Sequence, residues 1–153
     1  MASYRERALE GASAVDLVVA LYDGIIRFLY AAIDAVEQSD AEGRRAAAKR
    51  ALDIIIHLQA RLRMDVGGRP AQVLSEFYAS IFAQILQASQ SASVPKFTHT
   101  IDCVRNVRDA WREVARETNS SVGYNRVLTM SARNQQASTV ETEDEPVISG
   151  WTA

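Results

Sequence analysis

The most informative stretch of the chain is residues 13–38, which read SAVDLVVALYDGIIRFLYAAIDAVEQ. Apolar residues recur in it at steps of three and four, which is the spacing of an α-helix that buries one face. Between Asp16 and Asp34 the only charged residues are Asp23 and Arg27, and all four align along one narrow strip. The stretch therefore predicts a long helix with more apolar surface than one core face requires.

This surplus forms three apolar seams, whereas each member of a four-helix bundle needs one broad seam. The helix therefore either occupies the centre of the packing or offers a seam to a partner. Gly24 favours close approach of another backbone, because an interior glycine costs about 1 kcal/mol relative to alanine. The alternative is that the N-terminal segment folds back and covers the extra surface. The seams are Val18, Tyr22, Ile25, Leu29, Ala32 and Val36; Leu17, Leu21, Gly24 and Phe28; and Val19, Ile26, Tyr30 and Ile33.

Three later segments carry the same helical periodicity, and chemical start signals precede the first, second and fourth of the four predicted helices. Ser13 with Asp16, and Ser39 with Glu42, have the spacing of capping boxes, and Ser93 is a candidate cap for the last helix. Short connections between long helices favour antiparallel neighbours. We therefore expect an all-α, antiparallel up-and-down four-helix bundle. Its helices are predicted at about 14–38, 40–64, 70–90 and 95–118.

Both ends of the chain are expected to differ from the bundle. Residues 1–12 are predicted to form a short lid segment. Residues 119–153 are rich in Ser, Thr, Gln and Asn, lose the helical period and include the acidic run 141–145, so we expect a flexible, disordered acidic tail. Residues 1–118 hold 15 basic and 15 acidic residues, so the net charge of -2 lies in this tail.

Charge and composition exclude several classes of function. A net charge of -2 provides no field for nucleic acid, and no apolar run is long enough for membrane insertion. The N-terminus lacks a signal-peptide pattern, which favours a cytoplasmic protein. His57 and His99 lack metal-ligand spacing, and the single Cys103 suits a small core residue. We expect no enzymatic activity, no metal and no cofactor.

The fourth predicted helix alternates basic and acidic residues on one face. Its arginines, Arg105, Arg108, Arg112 and Arg116, are interleaved with Asp102, Asp109, Glu113 and Glu117. Pairing at i to i+4 is typical of a solvated helix face, so we expect these arginines to face water. Tyr22 and Trp111 lie on seams that face the other helices and are expected in the core, while Asp23 is a candidate polar anchor.

The run Leu21-Tyr22-Asp23-Gly24-Ile25-Ile26-Arg27-Phe28-Leu29 matches the Leu-Tyr-Asp-Gly-Ala-hydrophobic-Arg-Phe-Leu signature of the FliS family of flagellar export chaperones, which the chain resembles. The resemblance extends from residue 4 to about 117. The chain departs from the family pattern at Ala14, where the family has Pro, and at Arg63, where it has Asp. Weaker markers are Gly67-Gly68 with Leu74 and Phe77-Tyr78, then Ala88-Ser89, and Arg108-Asp109-Ala110-Trp111.

The resemblance implies a cytoplasmic chaperone that binds the disordered C-terminal segment of flagellin. Such a chaperone prevents premature polymerisation and delivers flagellin to the flagellar type III export apparatus through its gate protein. The apolar seams fit this role, because a disordered partner must cover a long apolar surface to offset its ordering entropy. The alternative is a helical-bundle interaction module with a different client, or a homodimer that buries the same seams.

Under the chaperone hypothesis the client groove lies on the first helix. A lid formed by Tyr4 and Leu9 is expected to cover part of the groove and to move aside for the client. The expected groove wall consists of Leu17, Leu21, Gly24, Ile25 and Phe28, which overlaps the family motif Leu21, Tyr22, Asp23 and Gly24.

Overall fold

The computed structural model describes the backbone of residues 4–117 and 121–140, and the side chains of residues 14–117 and 126–136. Within these ranges the chain is all-helical and has no strand. The predicted all-α bundle of four long helices is confirmed, and a fifth helix follows it. The helices are α1 (Tyr4–Glu37), α2 (Ala41–Arg61), α3 (Gly68–Gln90), α4 (Val94–Arg116) and α5 (Ser121–Val140).

Helix α1 lies between α2 and α4, and each of its seams meets a different part of the bundle. The Tyr22 seam fills the interior, where Leu29 and Ala32 are fully buried. Gly24, on the second seam, lies against Ile54 of α2. On the third seam, the Tyr30 hydroxyl accepts a hydrogen bond from Arg105 of α4 at 2.6 Å. Much of the apolar surplus of α1 is therefore used inside the bundle.

Helix α1 begins earlier than the capping pattern predicted. The chain is helical from Tyr4, so Ser13 and Asp16 lie inside α1 and the predicted start at residue 14 is wrong. The cause is the composition of residues 5–10, Arg-Glu-Arg-Ala-Leu-Glu, which are strong helix formers and let the helix continue towards the N-terminus. The expected lid is thus largely helical and continuous with α1, and residues 1–3 lie outside the described residues.

The turn between α1 and α2 places the cap one residue later than expected. Asp40, rather than Ser39, caps α2, because its carboxylate accepts from the Gly43 amide at 2.9 Å. Ser39 instead ends α1 in the left-handed region with a φ of 56°. The amides of Ser39 and Asp40 bond back to carbonyls of the last turn of α1, at 3.0 and 2.8 Å.

Two glycines shape the turn between α2 and α3, where α2 ends at Arg61 rather than near residue 64. The Gly67 amide donates to the Arg63 carbonyl at 2.6 Å, and a Cβ on Gly67 would lie 2.5 Å from that oxygen. Gly68 has a φ of 57°, a conformation that glycine adopts without strain. The Ser93 cap of α4 is confirmed, since its hydroxyl accepts from the Lys96 amide at 3.2 Å.

The expectation of an unstructured tail from residue 119 is wrong between Ser121 and Val140, where α5 packs on α3 and α4. Val127 and Ser131 of α5 are fully buried, and Asn134 is nearly so. The buried positions follow a helical spacing, but two of the three are polar. Apolar periodicity alone therefore does not predict this helix. The acidic run 141–145 lies outside the described residues.

Candidate functional site

Tyr22, the first aromatic residue of the family motif, is a buried hub that joins three helices. Its hydroxyl donates to the Tyr78 hydroxyl of α3 at 2.9 Å and accepts from the Trp111 indole of α4 at 3.3 Å. The two tyrosine rings meet edge to face, with centroids 6.2 Å apart. Tyr22 and Trp111 are core residues, as the sequence predicted. The hub therefore fixes the positions of α3 and α4 relative to α1.

Burial keeps both tyrosines of the hub protonated. Removal from water, followed in size by the interaction with Tyr78, raises the pKa of Tyr22 well above its ordinary value. Burial also raises the pKa of Tyr78 to about 12, against a smaller opposing effect of its hydrogen bond with Tyr22. Both hydroxyls are therefore protonated at neutral pH and serve as hydrogen-bonding groups within the hub.

Asp23, the next motif residue, forms an ion pair between α1 and α4. Its carboxylate accepts from the Arg108 guanidinium at 2.9 Å, and Arg112 lies 3.6 Å away. The Arg108 side chain is only 15% exposed. The expectation that Arg108 faces water is therefore wrong, because a position that flanks the core seam of α4 is drawn towards the carboxylate on α1. The predicted polar anchor at Asp23 has this arginine as its partner.

Gly24 completes the motif by letting α2 approach. A Cβ placed on Gly24 would lie 3.0 Å from the Ile54 Cδ1 of α2, which is tighter than ordinary packing. Three consecutive residues of the motif thus contact α2, α3 and α4. Their partners Tyr78, Arg108 and Trp111 belong to the weaker family markers, so these separate sequence signals describe one set of contacts.

The five predicted groove residues do not form one exposed wall. Ile25 is 1% exposed and lies in the core, and Gly24 is buried against α2, so neither lines an open groove in this structure. Leu21 and Phe28 are partly buried and pack against the core, and Leu17 is 43% exposed. Ile25 lies on the first seam, which fills the core, and the second seam is shared between α2 and solvent.

The Phe28 ring lies near two guanidinium groups, one from α1 and one from α2. The guanidinium carbons of Arg27 and Arg50 each lie 5.7 Å from the centre of its ring, within reach of a cation–π interaction. Phe28 therefore contributes a partly covered aromatic ring rather than an open apolar patch. The expected lid residues Tyr4 and Leu9 both lie in α1, but their side chains fall outside the described residues, so their covering role stays a prediction.

An open apolar surface lies at one end of the bundle, where residues 14–18 of α1 meet the end of α2. A cleft of about 240 Å³ opens there among α1, α2, α3 and α4, with Tyr78 and Trp111 of the hub in its wall. Its volume is below the roughly 300–1,000 Å³ of small-molecule sites, so it suits one or two side chains of a peptide better than a cofactor. Its apolar lining also includes Val15, Val18, Leu58, Leu62 and Leu74.

A second groove continues this surface between α2 and α3. It is lined by apolar side chains, among them Ile56, Ala79 and Phe82, and it shares Tyr78 with the cleft. Beyond the end of α2, Met64 is half exposed and Val66 is 70% exposed. We call this region the apolar end surface, and define it by the exposed and half-buried residues Val15, Leu17, Val18, Ile56, Leu62, Met64, Val66 and Phe82.

The described residues show no cluster suited to metal chemistry. In these ranges, no group of three or more His, Cys, Asp or Glu side chains is arranged to hold a metal ion. His57 is exposed, and His99 contacts the buried Cys103, with its Nε2 atom 3.7 Å from the sulfur. None of the described helices has the length and hydropathy that a bilayer-spanning helix requires.

Comparisons with known proteins agree with one another. The family model "Flagellar protein FliS" matches residues 1–118. The chain is similar to the flagellar secretion chaperone FliS of Vibrio cholerae, with 30% identity over 109 residues, or 71% of this chain and 80% of the relative. The corresponding protein of Salmonella typhimurium is 30% identical over 111 residues, covering 72% and 82%. That of Campylobacter jejuni is 32% identical over 98 residues, covering 64% and 77%.

Proposed function

The chain belongs to the FliS family of flagellar secretion chaperones, and from this premise we propose that it binds the disordered C-terminal segment of newly made flagellin. The complex forms in the cytoplasm and prevents premature polymerisation of flagellin. The chaperone then delivers its client to the flagellar type III export apparatus through the gate protein. No catalytic step is needed for this role, and the relatives are named as chaperones.

The apolar end surface is the single observation that supports this proposal most directly. Leu17 is 43% exposed and Val66 is 70% exposed, and both lie at the same end as the cleft between the helices. Contiguous exposed apolar patches on a monomer mark interaction sites more often than chance exposure does. When a client segment folds on this surface, the burial of its apolar side chains offsets part of the free-energy cost of ordering it.

The shape of the surface also fits a flexible client. The cleft and the α2–α3 groove are separate openings that share the buried Tyr78 as a wall, and α2 borders both of them. An amphipathic helix in a groove, continued by extended chain, is a common way for a disordered partner to cover such a surface. The motif contacts of Tyr22, Asp23 and Gly24 hold the four helices that border these openings.

Calorimetric titration with a peptide of the C-terminal segment of flagellin from the same genome tests the proposal. We expect Leu17→Asp to weaken binding at least tenfold, because the client would have to bury a charge at an apolar contact. The matched control is Tyr30→Asp, since Tyr30 is 47% exposed but lies more than three turns along α1 from Leu17, outside the apolar end surface.

The two variants distinguish a loss of affinity that is specific to the apolar end surface from one that any added surface charge would cause. If both lose affinity equally, the client does not use the apolar end surface. If the wild-type chain does not bind the peptide at all while remaining folded by circular dichroism, the flagellin proposal is wrong and the client is a different protein.

A further inference from the structure

Residues 141–153, which read ETEDEPVISGWTA, carry their charged and their apolar side chains in separate blocks. Four of the first five residues are acidic, and Val147, Ile148 and Trp151 follow within the next six. We call residues 141–153 the acidic–apolar segment, and they lie outside the described residues. Such a composition matches a surface on which cationic side chains lie beside an apolar groove, because each block then has a complementary partner.

Helix α5 brings the acidic–apolar segment to the beginning of α3. Arg133 and Gln136 of α5 border a surface crevice whose opposite wall includes Arg69, in the first turn of α3. Val140, where α5 ends, is about one turn beyond Gln136. The chain therefore leaves α5 close to the first turn of α3.

Two arginines at this exit are available to an anion. Arg69 and Arg133 are both exposed and lie in the wall of the same crevice. In the part of the chain that the structure describes, neither guanidinium has a hydrogen bond or an ion pair. The first turn of α3 contains no acidic residue, and Glu76 is about two turns further along the helix. The acidic run 141–145 thus follows α5 directly at a cationic site.

The apolar groove between α2 and α3 lies on the other side of α3. Val73 lines the crevice beside α5, whereas Ser75 lines the groove, and positions two apart on a helix differ by about 200°. Ile56 in the groove wall is 54% exposed. Gln59 donates to the Ser75 hydroxyl at 2.7 Å, so these two polar side chains bond to each other and leave the remaining surface apolar.

The acidic–apolar segment is long enough to connect the two sites. A helix is about 10–12 Å in diameter with its side chains, so a path around half of α3 is roughly 15–20 Å long. Residues 141–147 in extended form span up to about 23–25 Å. The acidic run can therefore contact Arg69 and Arg133 while Val147 reaches the groove, and Trp151 can extend along it towards Phe82.

The covalent connection to α5 favours this segment over a second copy of the chain as the occupant. A short flexible connection gives an effective concentration on the order of 1 mM. A contact with an intrinsic Kd of about 0.1 mM would then be formed in about 90% of molecules. A second chain at micromolar concentration cannot compete with a tethered segment of the same sequence.

We propose that residues 147–151 of this chain bind in the α2–α3 groove and that the acidic run 141–145 pairs with Arg69 and Arg133. The contact forms within the free chain, whatever the identity of its client. Part of the groove belongs to the apolar end surface, so the segment covers exposed apolar side chains that a client would otherwise find open.

Fluorine NMR of the full-length chain labelled with 5-fluorotryptophan tests this contact, because the chain has two tryptophans and one of them is Trp151. Trp151→Phe assigns the two resonances, and concentrated urea gives the position of each in the unfolded chain. In the wild-type chain we expect the Trp151 resonance to lie away from its unfolded position and to be independent of protein concentration.

Three variants test the two parts of the contact. Ile56→Asp introduces a charge into the groove at an exposed position and should weaken the contact about tenfold, which moves the Trp151 resonance towards its unfolded position. Tyr30→Asp is the matched control, since Tyr30 is 47% exposed but lies on α1 against α4. Arg69→Glu should shift the resonance in the same direction as Ile56→Asp, and so should added salt, which screens exposed ion pairs.

Three results would contradict the proposal. A wild-type Trp151 resonance at its unfolded position would mean that the segment does not bind. A shifted resonance that ignores Ile56→Asp, or that responds equally to Tyr30→Asp, would mean that the segment binds outside the groove. A resonance that moves with protein concentration would mean that a second chain supplies the segment.

Discussion

Tyr22, Asp23 and Gly24 are consecutive in sequence, and each contacts a different neighbouring helix. Tyr22 reaches α3 and α4 through hydrogen bonds, Asp23 reaches α4 through Arg108, and Gly24 admits the Ile54 side chain of α2. Residues one apart on a helix point about 100° from each other, so three in a row cover most of its circumference. The motif can therefore orient all the partners of α1 from a single turn.

The buried tyrosine pair makes the stability of the fold sensitive to high pH. Burial raises the pKa of Tyr22 well above its ordinary value, and that of Tyr78 to about 12. Above about pH 10 the unfolded chain loses these protons while the folded chain retains them, so the free energy of unfolding falls as pH rises. Urea unfolding between pH 8 and 11.5 should show a constant midpoint up to about pH 9.5 and a steep decline above it.

Two variants identify the source of that decline. Tyr22→Phe removes one of the buried hydroxyls and should reduce the slope above pH 10, at a cost of about 1–3 kcal/mol at neutral pH from the disrupted hub. Tyr78→Phe removes the other buried hydroxyl and should also reduce the slope, because burial raises the pKa of Tyr78 to about 12. An unchanged slope in Tyr22→Phe would mean that other groups cause the alkaline loss.

At the scale of elements, the turn between α1 and α2 divides two roles between neighbouring residues. Asp40 caps α2, while Ser39 ends α1 with a positive φ. We expect Asp40→Ala to reduce the free energy of unfolding by about 1 kcal/mol through loss of the cap. Ser39→Gly should leave stability unchanged or raise it by up to about 1 kcal/mol, because glycine adopts this conformation without strain.

Thermal and urea unfolding of the two variants measure this difference. If Ser39 were the cap, as its spacing from Glu42 suggested, replacing it with glycine would lose the side-chain acceptor, and Asp40→Ala would be nearly neutral. The relative order of the two variants therefore decides which residue starts α2.

The elements α1 to α4 were predictable because apolar side chains carry their periodicity. Helix α5 was not, since its buried positions include Ser131 and Asn134, whose burial depends on hydrogen bonds that become visible only in three dimensions. Arg108 illustrates the same limit. Its neighbours in sequence are acidic, but its partner Asp23 lies 85 residues away on α1.

The sequence predicted where apolar surface is in surplus, but not which of these side chains are exposed. The sequence located a surplus of apolar surface on α1, and Leu17 is indeed exposed. Which seam faces α2, α4 or solvent depends on how the helices are arranged around α1, and that arrangement placed Ile25 in the core. The exposure of Ile56, Met64 and Val66 was not predicted. In a sequence, an exposed apolar residue differs from a buried one only by lying off the core seam.

At the scale of the whole molecule, the contacts define a stable unit and a weaker addition. Helices α1 to α4 supply most of the shared core, whereas α5 lies on one side of α3 and α4 and, among its described side chains, adds Val127 as its one buried apolar residue. Segments with little buried apolar surface open at a lower free energy than the core. Native-state hydrogen exchange should therefore release the amides of α5, such as that of Ser131, well before those of Val107 in α4.

The exchange experiment has a clear internal reference. If the amides of Ser131 and Val107 exchange with the same free energy of opening and the same response to denaturant, α5 belongs to a single cooperative unit. Earlier exchange confined to α5 would indicate an opening that leaves the four-helix core intact.

The distance along the chain between Tyr22 and Trp111 has a consequence for how the protein is made. Helix α1 leaves the ribosome before α2, α3 and α4, and its partners on α4 follow 85 to 89 residues later. At synthesis rates of about 5–20 residues per second, this delay is on the order of 5–20 s. Only the α2 side, through Gly24 and Ile54, can pair early. During these seconds the nascent chaperone exposes an apolar helix to water, as an unfolded client does.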